Sequence, residues 1–123
     1  MINQSRLSKH PKNAAFVAAF DSLTVEHPFM HMLRLMPDLL VTFELTDGFE
    51  DGEMRLGAIQ SLDQGKGNAS KALDIFLALA DKHDVTITLD IDPFGEGGLG
   101  KRALRTWYKS RGFKIDKYGE GRR

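Results

Sequence analysis

The chain contains no cysteine, only four prolines and no sustained apolar run. The missing thiols exclude disulfide staples, thiolate metal sites and a cysteine nucleophile, and they suit a reducing compartment, so a cytoplasmic location is expected. The opening stretch MINQSRLSKHPK has no apolar segment of the kind a signal peptide carries, and no later run approaches the roughly 18 apolar residues of a membrane span. No membrane partner is therefore expected. Excess charge is lacking too: seventeen basic and seventeen acidic residues cancel, which removes the long-range field that draws proteins to nucleic acid. No repeat, low-complexity tract or linker divides the 123 residues, of which 41% are hydrophobic. That length supports one domain with a core of its own, residues 1–123, and not two.

What is present is periodicity. Residues 1–12 are polar and read as a loose lead-in with at most a short edge strand. From Asn13, read as an N-cap, Phe16, Val17, Ala19, Phe20 and Leu23 recur at helical spacing. After Pro28, the apolar residues Phe29, Met30, Met32, Leu33, Leu35 and Met36 predict a short second helix that stops at Pro37. Leu39, Val41, Phe43 and Leu45 then alternate with Leu40, Thr42 and Glu44, the period of a strand with one buried face. Turn residues at 46–52 return the chain into a second strand over residues 54–59, forming an antiparallel hairpin. Ala69, Ala72, Leu73, Phe76, Leu79 and Ala80 mark the longest helix, ending near His83, and Val85, Ile87, Leu89 and Ile91 mark another strand with a polar second face. A glycine-rich connection, residues 93–100, leads to a basic helix that Gly112 ends with a left-handed cap, before a last strand at 113–117. The predicted order is ααββαβαβ, a mixed α/β (α+β) domain.

The sharpest local signal is Gln64-Gly65-Lys66-Gly67-Asn68-Ala69-Ser70, set between a strand and the longest helix. Glycines let a backbone approach an anion closely, the unpaired N–H groups of the helix start point at it, and the helix macrodipole adds roughly half a positive charge. Lys66 and Lys71 stand ready to reinforce such a site. The same glycine pair also serves a tight turn whose only demand is backbone freedom, so spacing alone leaves both readings open.

These residues resemble the Q/R-x-x-G-x-G/A pyrophosphate loop of the GCN5-related N-acetyltransferases. Downstream, Trp107-Tyr108-Lys109-Ser110-Arg111-Gly112-Phe113 resembles the Y-x-x-x-G-F ending of that family's last helix. The resemblance covers at least residues 54–117 and implies a mostly antiparallel central sheet flanked by helices. It implies acetyl-CoA as cosubstrate and a primary amine as acceptor, a protein's amine among the candidates. The backbone from Gln64 to Ser70 would hold the CoA pyrophosphate, Ala58 and Ile59 would pair with pantetheine, and Tyr108 would protonate the departing thiolate. A domain of the same fold without catalysis, serving as a structural or protein-binding module, remains the other reading. Tyr108 and Trp107 would then simply pack the helix on the sheet. Family members usually begin with a strand and show three strands before the glycine loop, whereas here one hairpin is evident. Lys101 and Leu104 also replace a customary asparagine and alanine. The N-terminal, acceptor side is thus expected to be abbreviated and open, suiting a protein side chain or terminus.

An acceptor amine must lose a proton, and Glu44, Glu53, Asp90 and Asp92 are the carboxylates near the predicted strand ends, none singled out by spacing. Gly95-Glu96-Gly97-Gly98-Leu99-Gly100 fits a dinucleotide fingerprint, but the strands of a nucleotide-binding half do not follow, so a loop near the thioester is the better expectation. His27 and His31 share a spacing of four with Pro28 between them and no third ligand in sight, so no metal is expected. Lys101, Arg102, Arg105, Lys109 and Arg111 crowd one helix, as a solvated face or as contacts to CoA phosphates. Edge strands and the methionine-rich segment would permit a homodimer.

Overall fold

A computed structural model describes residues 10–30, 32–63, 65–91 and 101–123. Within them three helices and seven strands follow in the order α1 (Pro11–Asp21), β1 (Val25–Glu26), β2 (Leu33–Met36), β3 (Val41–Asp47), β4 (Glu53–Ser61), α2 (Asn68–Lys82), β5 (Thr86–Asp90), α3 (Lys101–Lys109), β6 (Lys114–Ile115) and β7 (Glu120–Arg122). The strands form one sheet in the order β1-β2-β3-β4-β5-β7-β6, antiparallel throughout except for the parallel pair β4 and β5. The chain is therefore a mixed α/β protein with a mostly antiparallel sheet. None of its described helices is long and apolar enough to cross a membrane.

The core lies between one sheet face and the helices. Phe16 and Phe20 of α1, Phe43 of β3 and Phe76 of α2 are fully buried. Their rings meet at 5.2–5.6 Å, mostly edge-on, as aromatic quadrupoles prefer. Val41, Leu45, Met54, Leu56, Ile87 and Leu89 add alternate residues of the three central strands. The opposite face is polar. Register places Glu44, Glu53, Arg55, Thr88, Asp90 and Arg122 there, with Leu33, Leu35 and Ala58 toward the β2 side.

Two sequence expectations fail here. The apolar run 29–36 is not a helix: its last four residues are strand β2, paired with β1 on one edge and β3 on the other. A near-continuous apolar run satisfies either period, and the stretch between Pro28 and Pro37 is too short for a helix to hold without tertiary support. Nor does Asn13 cap α1. The helix starts at Pro11, and Asp51 Oδ1, from the β3–β4 turn, accepts the backbone N–H of Lys12 at 2.9 Å and of Asn13 at 3.3 Å. Asn13 itself is fully buried. Its amide donates to the Glu53 carbonyl at 2.9 Å and accepts the Gly52 N–H at 2.9 Å, fastening α1 to the hairpin. The last segment is also richer than one strand, since β6 turns back at Gly119, φ +90°, into β7, which inserts between β6 and β5.

Candidate functional site

Strands β4 and β5 begin in parallel register, Glu53 with Thr86 and Arg55 with Thr88, and their pairing ends there. Beyond it, residues 56–61 pair only with β3 among the described residues. Among the described residues, the main-chain groups of β4 that would have met β5 thus have no strand partner on that side, where β4 and β5 part. Ala58 and Ile59, predicted to meet a pantetheine chain, lie on this stretch, Ala58 exposed and Ile59 packed on the core. The divergence coincides with a bulge. Register runs Glu44 with Ala58 but Leu45 with Leu56, so Gly57 is an extra residue on β4.

At the end of β4 the chain reaches the glycine turn. Gly65 and Gly67 have φ of +87° and +73°, and a Cβ at either would meet nothing within 4 Å. Their need is the backbone angle, since no atom of the described residues lies within 4 Å of either Cβ position. Gly67 is the N-cap of α2 and has no side chain with which to cap it, and the first turn of the helix holds no acidic residue. The first N–H groups of a 15-residue helix have no intrahelical partner, and among the described residues no side chain accepts from them. Lys66 pairs with Asp63 at 3.0 Å, which partly cancels the charge it was expected to bring, while Lys71 is exposed. Gln64, the first residue of the predicted loop, and the connection at 93–100 lie outside the described residues, as do Asp92 and His31.

The second motif sits against the first. Trp107 of α3 donates its indole N–H to Ser70 Oγ in the first turn of α2 at 2.8 Å. Arg111 holds this junction from the other side, with Nε 2.8 Å from Asp74 of α2 and its guanidinium 5.1 Å above the Trp107 ring. Next to Trp107, Tyr108 is buried, 8% exposed, with its ring 5.4 Å from Phe113. Burial pushes its phenol from the ordinary 10 up to about 12. No hydrogen bond engages its hydroxyl among the described residues.

Comparison with family models, with curated proteins and with solved structures returned no match. The site's character therefore rests on its own geometry. A motif scan finds Tyr108 and the glycines but misses Trp107–Ser70, because a hydrogen bond across 37 residues leaves no periodic trace.

Two of the expected carboxylates are committed elsewhere. Asp90 is ion-paired with Arg55, and Glu53 with Arg122 at 3.2 Å. These pairs wall a depression of about 580 Å3 on the polar sheet face, together with Thr88 and Glu120. Of the basic residues on α3 and just after it, Arg105 is spent on the carbonyls of Asp116 and Lys117, and Arg111 on the junction above. Arg102 and Lys109 are exposed. His27 Nδ1 accepts the backbone N–H groups of Phe29 and Met30 at 3.2 and 3.1 Å, closing its own loop.

Proposed function

We propose that the protein is an acetyl-CoA-dependent N-acetyltransferase related in fold to the GCN5-related enzymes, moving an acetyl group to a primary amine by direct attack. The observation that carries this reading is the junction of the two motif segments: Trp107 of one bonds Ser70 of the other beside the gap where β4 leaves β5. Sequence alone had these segments merely in the right order. In space they form one edge, with an uncapped helix start at one end and a tyrosine near the other. A pyrophosphate suits the first, since backbone N–H groups and the helix dipole both favour an anion there. An extended amide-bearing chain suits the open main-chain groups of β4, as a strand suits a sheet edge. Four strands, β1 to β4, precede the glycine turn, where the sequence showed one hairpin, although a helix and not a strand comes before them.

Tyr108 is the acid in this reading. An unperturbed thiol titrates near about 8.5, so a phenol near 12 keeps its proton against an ordinary thiolate. In the resting site it is a fully protonated hydrogen-bond donor. Transfer becomes favourable only to a thiolate expelled into the same dry surroundings, where burial raises the basicity of the sulfur as well.

Burial of Tyr108 also favours a second reading, a non-catalytic module in which the ring is a core residue packed on Phe113. Isothermal titration with acetyl-CoA separates the two. Enzyme predicts saturable binding that a bulky side chain at Gly67 removes; no heat of binding at millimolar acetyl-CoA discards it in favour of the module.

A further inference from the structure

The polar face of the sheet carries its charges in rows. Register sets Arg55 of β4 beside Thr88 of β5, Thr88 beside Arg122 of β7, and Arg122 beside Lys114 of β6. Three cations and a hydroxyl thus share one rung across four strands, about 4.8 Å apart from strand to strand. Two residues further along β5, Asp90 stands beside Glu120 on the next rung of the same face. Like charges directly opposite one another weaken a sheet, and both Arg122 with Lys114 and Asp90 with Glu120 are such pairs. Sorting the charges by row costs the fold stability and gives the face a cationic line beside an acidic one. Arg55 is ion-paired with Asp90, and Arg122 with Glu53 at 3.2 Å. Lys114 and the Glu120 carboxylate have no ion pair or hydrogen bond among the described residues, which leaves one free charge of each sign. All these side chains line the depression of about 580 Å3, a volume usual for small-molecule sites.

The acidic row is the one level with the parting of β4 and β5, since Asp90 lies two residues past the last rung that the two strands share. A lone anion such as phosphate fits this surface poorly: it would satisfy Lys114 and face Glu120 and Asp90. A simple amine satisfies Glu120 and leaves Lys114 beside Arg122. A ligand with both an ammonium and a carboxylate matches the two free charges and breaks no existing pair.

We propose that this depression binds a free amino acid and is the acceptor site of the enzyme. This rests on the acetyltransferase reading above. The ligand carboxylate lies on the cationic row, accepting from Lys114 and Arg122, and its ammonium faces Glu120 and Asp90. The amine is then directed toward the parting of β4 and β5, and the carboxylate away from it. Lys114 is the specificity residue, selecting amines that bear a carboxylate, and it takes no part in the transfer.

The test uses the full chain and matched ligands that differ only by a carboxylate: phenylalanine against phenethylamine, leucine against isoamylamine, lysine against cadaverine. Binding is read first without acetyl-CoA, by 15N–1H NMR titration to tens of millimolar at constant ionic strength. At least one amino acid shifts the amides of Thr88, Gly121 and Arg122 saturably, with a Kd about tenfold or more below that of its partner amine, as one added charge-assisted contact allows. Lys114 is exposed and unpaired, so Lys114→Gln folds as the wild type does, and it removes most of this preference. Glu120→Gln weakens amino acid and amine alike and keeps their ratio. With acetyl-CoA present, the same amino acid is acetylated with kcat/KM about tenfold or more above its partner's. Lys114→Gln erodes that ratio while the Kd for acetyl-CoA changes less than about twofold. Absence of shifts at the depression, or equal affinity within every pair, overturns the site. Carboxylate-dependent binding with no acetylation, or with no affinity for acetyl-CoA, overturns the acetyltransferase reading and leaves the amino-acid site standing. Acetylation that favours neither member of any pair overturns the acceptor assignment alone.

Discussion

Replacing Tyr108 by phenylalanine separates what this residue does for the fold from what it does for chemistry. The ring is buried against Phe113 and Trp107, and phenylalanine keeps that packing. Only the hydroxyl is removed, and it has no hydrogen-bond partner among the described residues. A buried hydroxyl without a partner costs about 1–3 kcal/mol of desolvation, so Tyr108→Phe is expected to leave stability at pH 7 unchanged or raise it by about 1 kcal/mol. Alkaline pH then gives a signed test. The folded-state pKa is raised, to about 12 from 10. The stability tied to the neutral phenol is thus fully present below pH 10 and is lost as pH rises toward 12, because the unfolded chain ionises first. At pH 11 the two titration curves differ by about one decade, so the wild type loses about 1.4 kcal/mol through this group that the variant does not. Urea unfolding of both proteins at pH 7, 10 and 11, followed by tryptophan fluorescence, reads the difference directly. The remaining ionisable groups are the same in both proteins, so their contributions cancel. Parallel alkaline limbs would refute the buried, unpartnered phenol. A loss above about 2 kcal/mol at pH 7 would show a structural hydrogen bond instead. Under the acetyltransferase reading the same variant lowers kcat while leaving acetyl-CoA affinity nearly intact, and unchanged turnover would remove the acid role.

Gly67→Val introduces a branched residue at φ +73° with nothing near its Cβ. It should cost about 1–2 kcal/mol of stability from backbone strain alone yet abolish acetyl-CoA binding in titration calorimetry; retained affinity would count against the turn as a phosphate site. Asn13→Leu removes one of two donors to the Glu53 carbonyl, which keeps the Gly48 N–H, and leaves the half-buried Gly52 N–H without its acceptor, for a loss of about 1–3 kcal/mol in urea unfolding at pH 7; a change below about 0.5 kcal/mol would mean that α1 is not fastened to the hairpin as described. Trp107→Phe keeps an aromatic ring but removes the bond to Ser70. It is expected to lower stability by about 1 kcal/mol and to raise the Kd for acetyl-CoA several-fold by loosening the first turn of α2, so an unaltered Kd would separate that bond from the ligand site.

Local periodicity was enough to reveal α1, the β3–β4 hairpin, α2, β5 and α3, because each buries one face whose spacing is written in consecutive residues, as with Phe16, Val17 and Phe20. Gly112, at φ +90°, and the glycine turn were legible for a similar reason, since a positive φ is a demand of one residue on its own backbone. Strand β2 was not legible. Its four residues are as apolar as a buried helix turn, and only hydrogen bonds to β1 and β3, supplied from elsewhere in the chain, decide between the two.

The sequence by itself determined that a cysteine-free, charge-balanced α/β chain carries a strand, glycine turn and helix followed by a tyrosine-bearing helix. Tertiary structure decided how these meet. The early parting of β4 from β5, the bulge at Gly57, and the bond from Trp107 to Ser70 all depend on pairing between segments distant in the chain. Such pairings are set by which edges and faces remain to be satisfied once the core has formed, and no window of neighbouring residues contains that information.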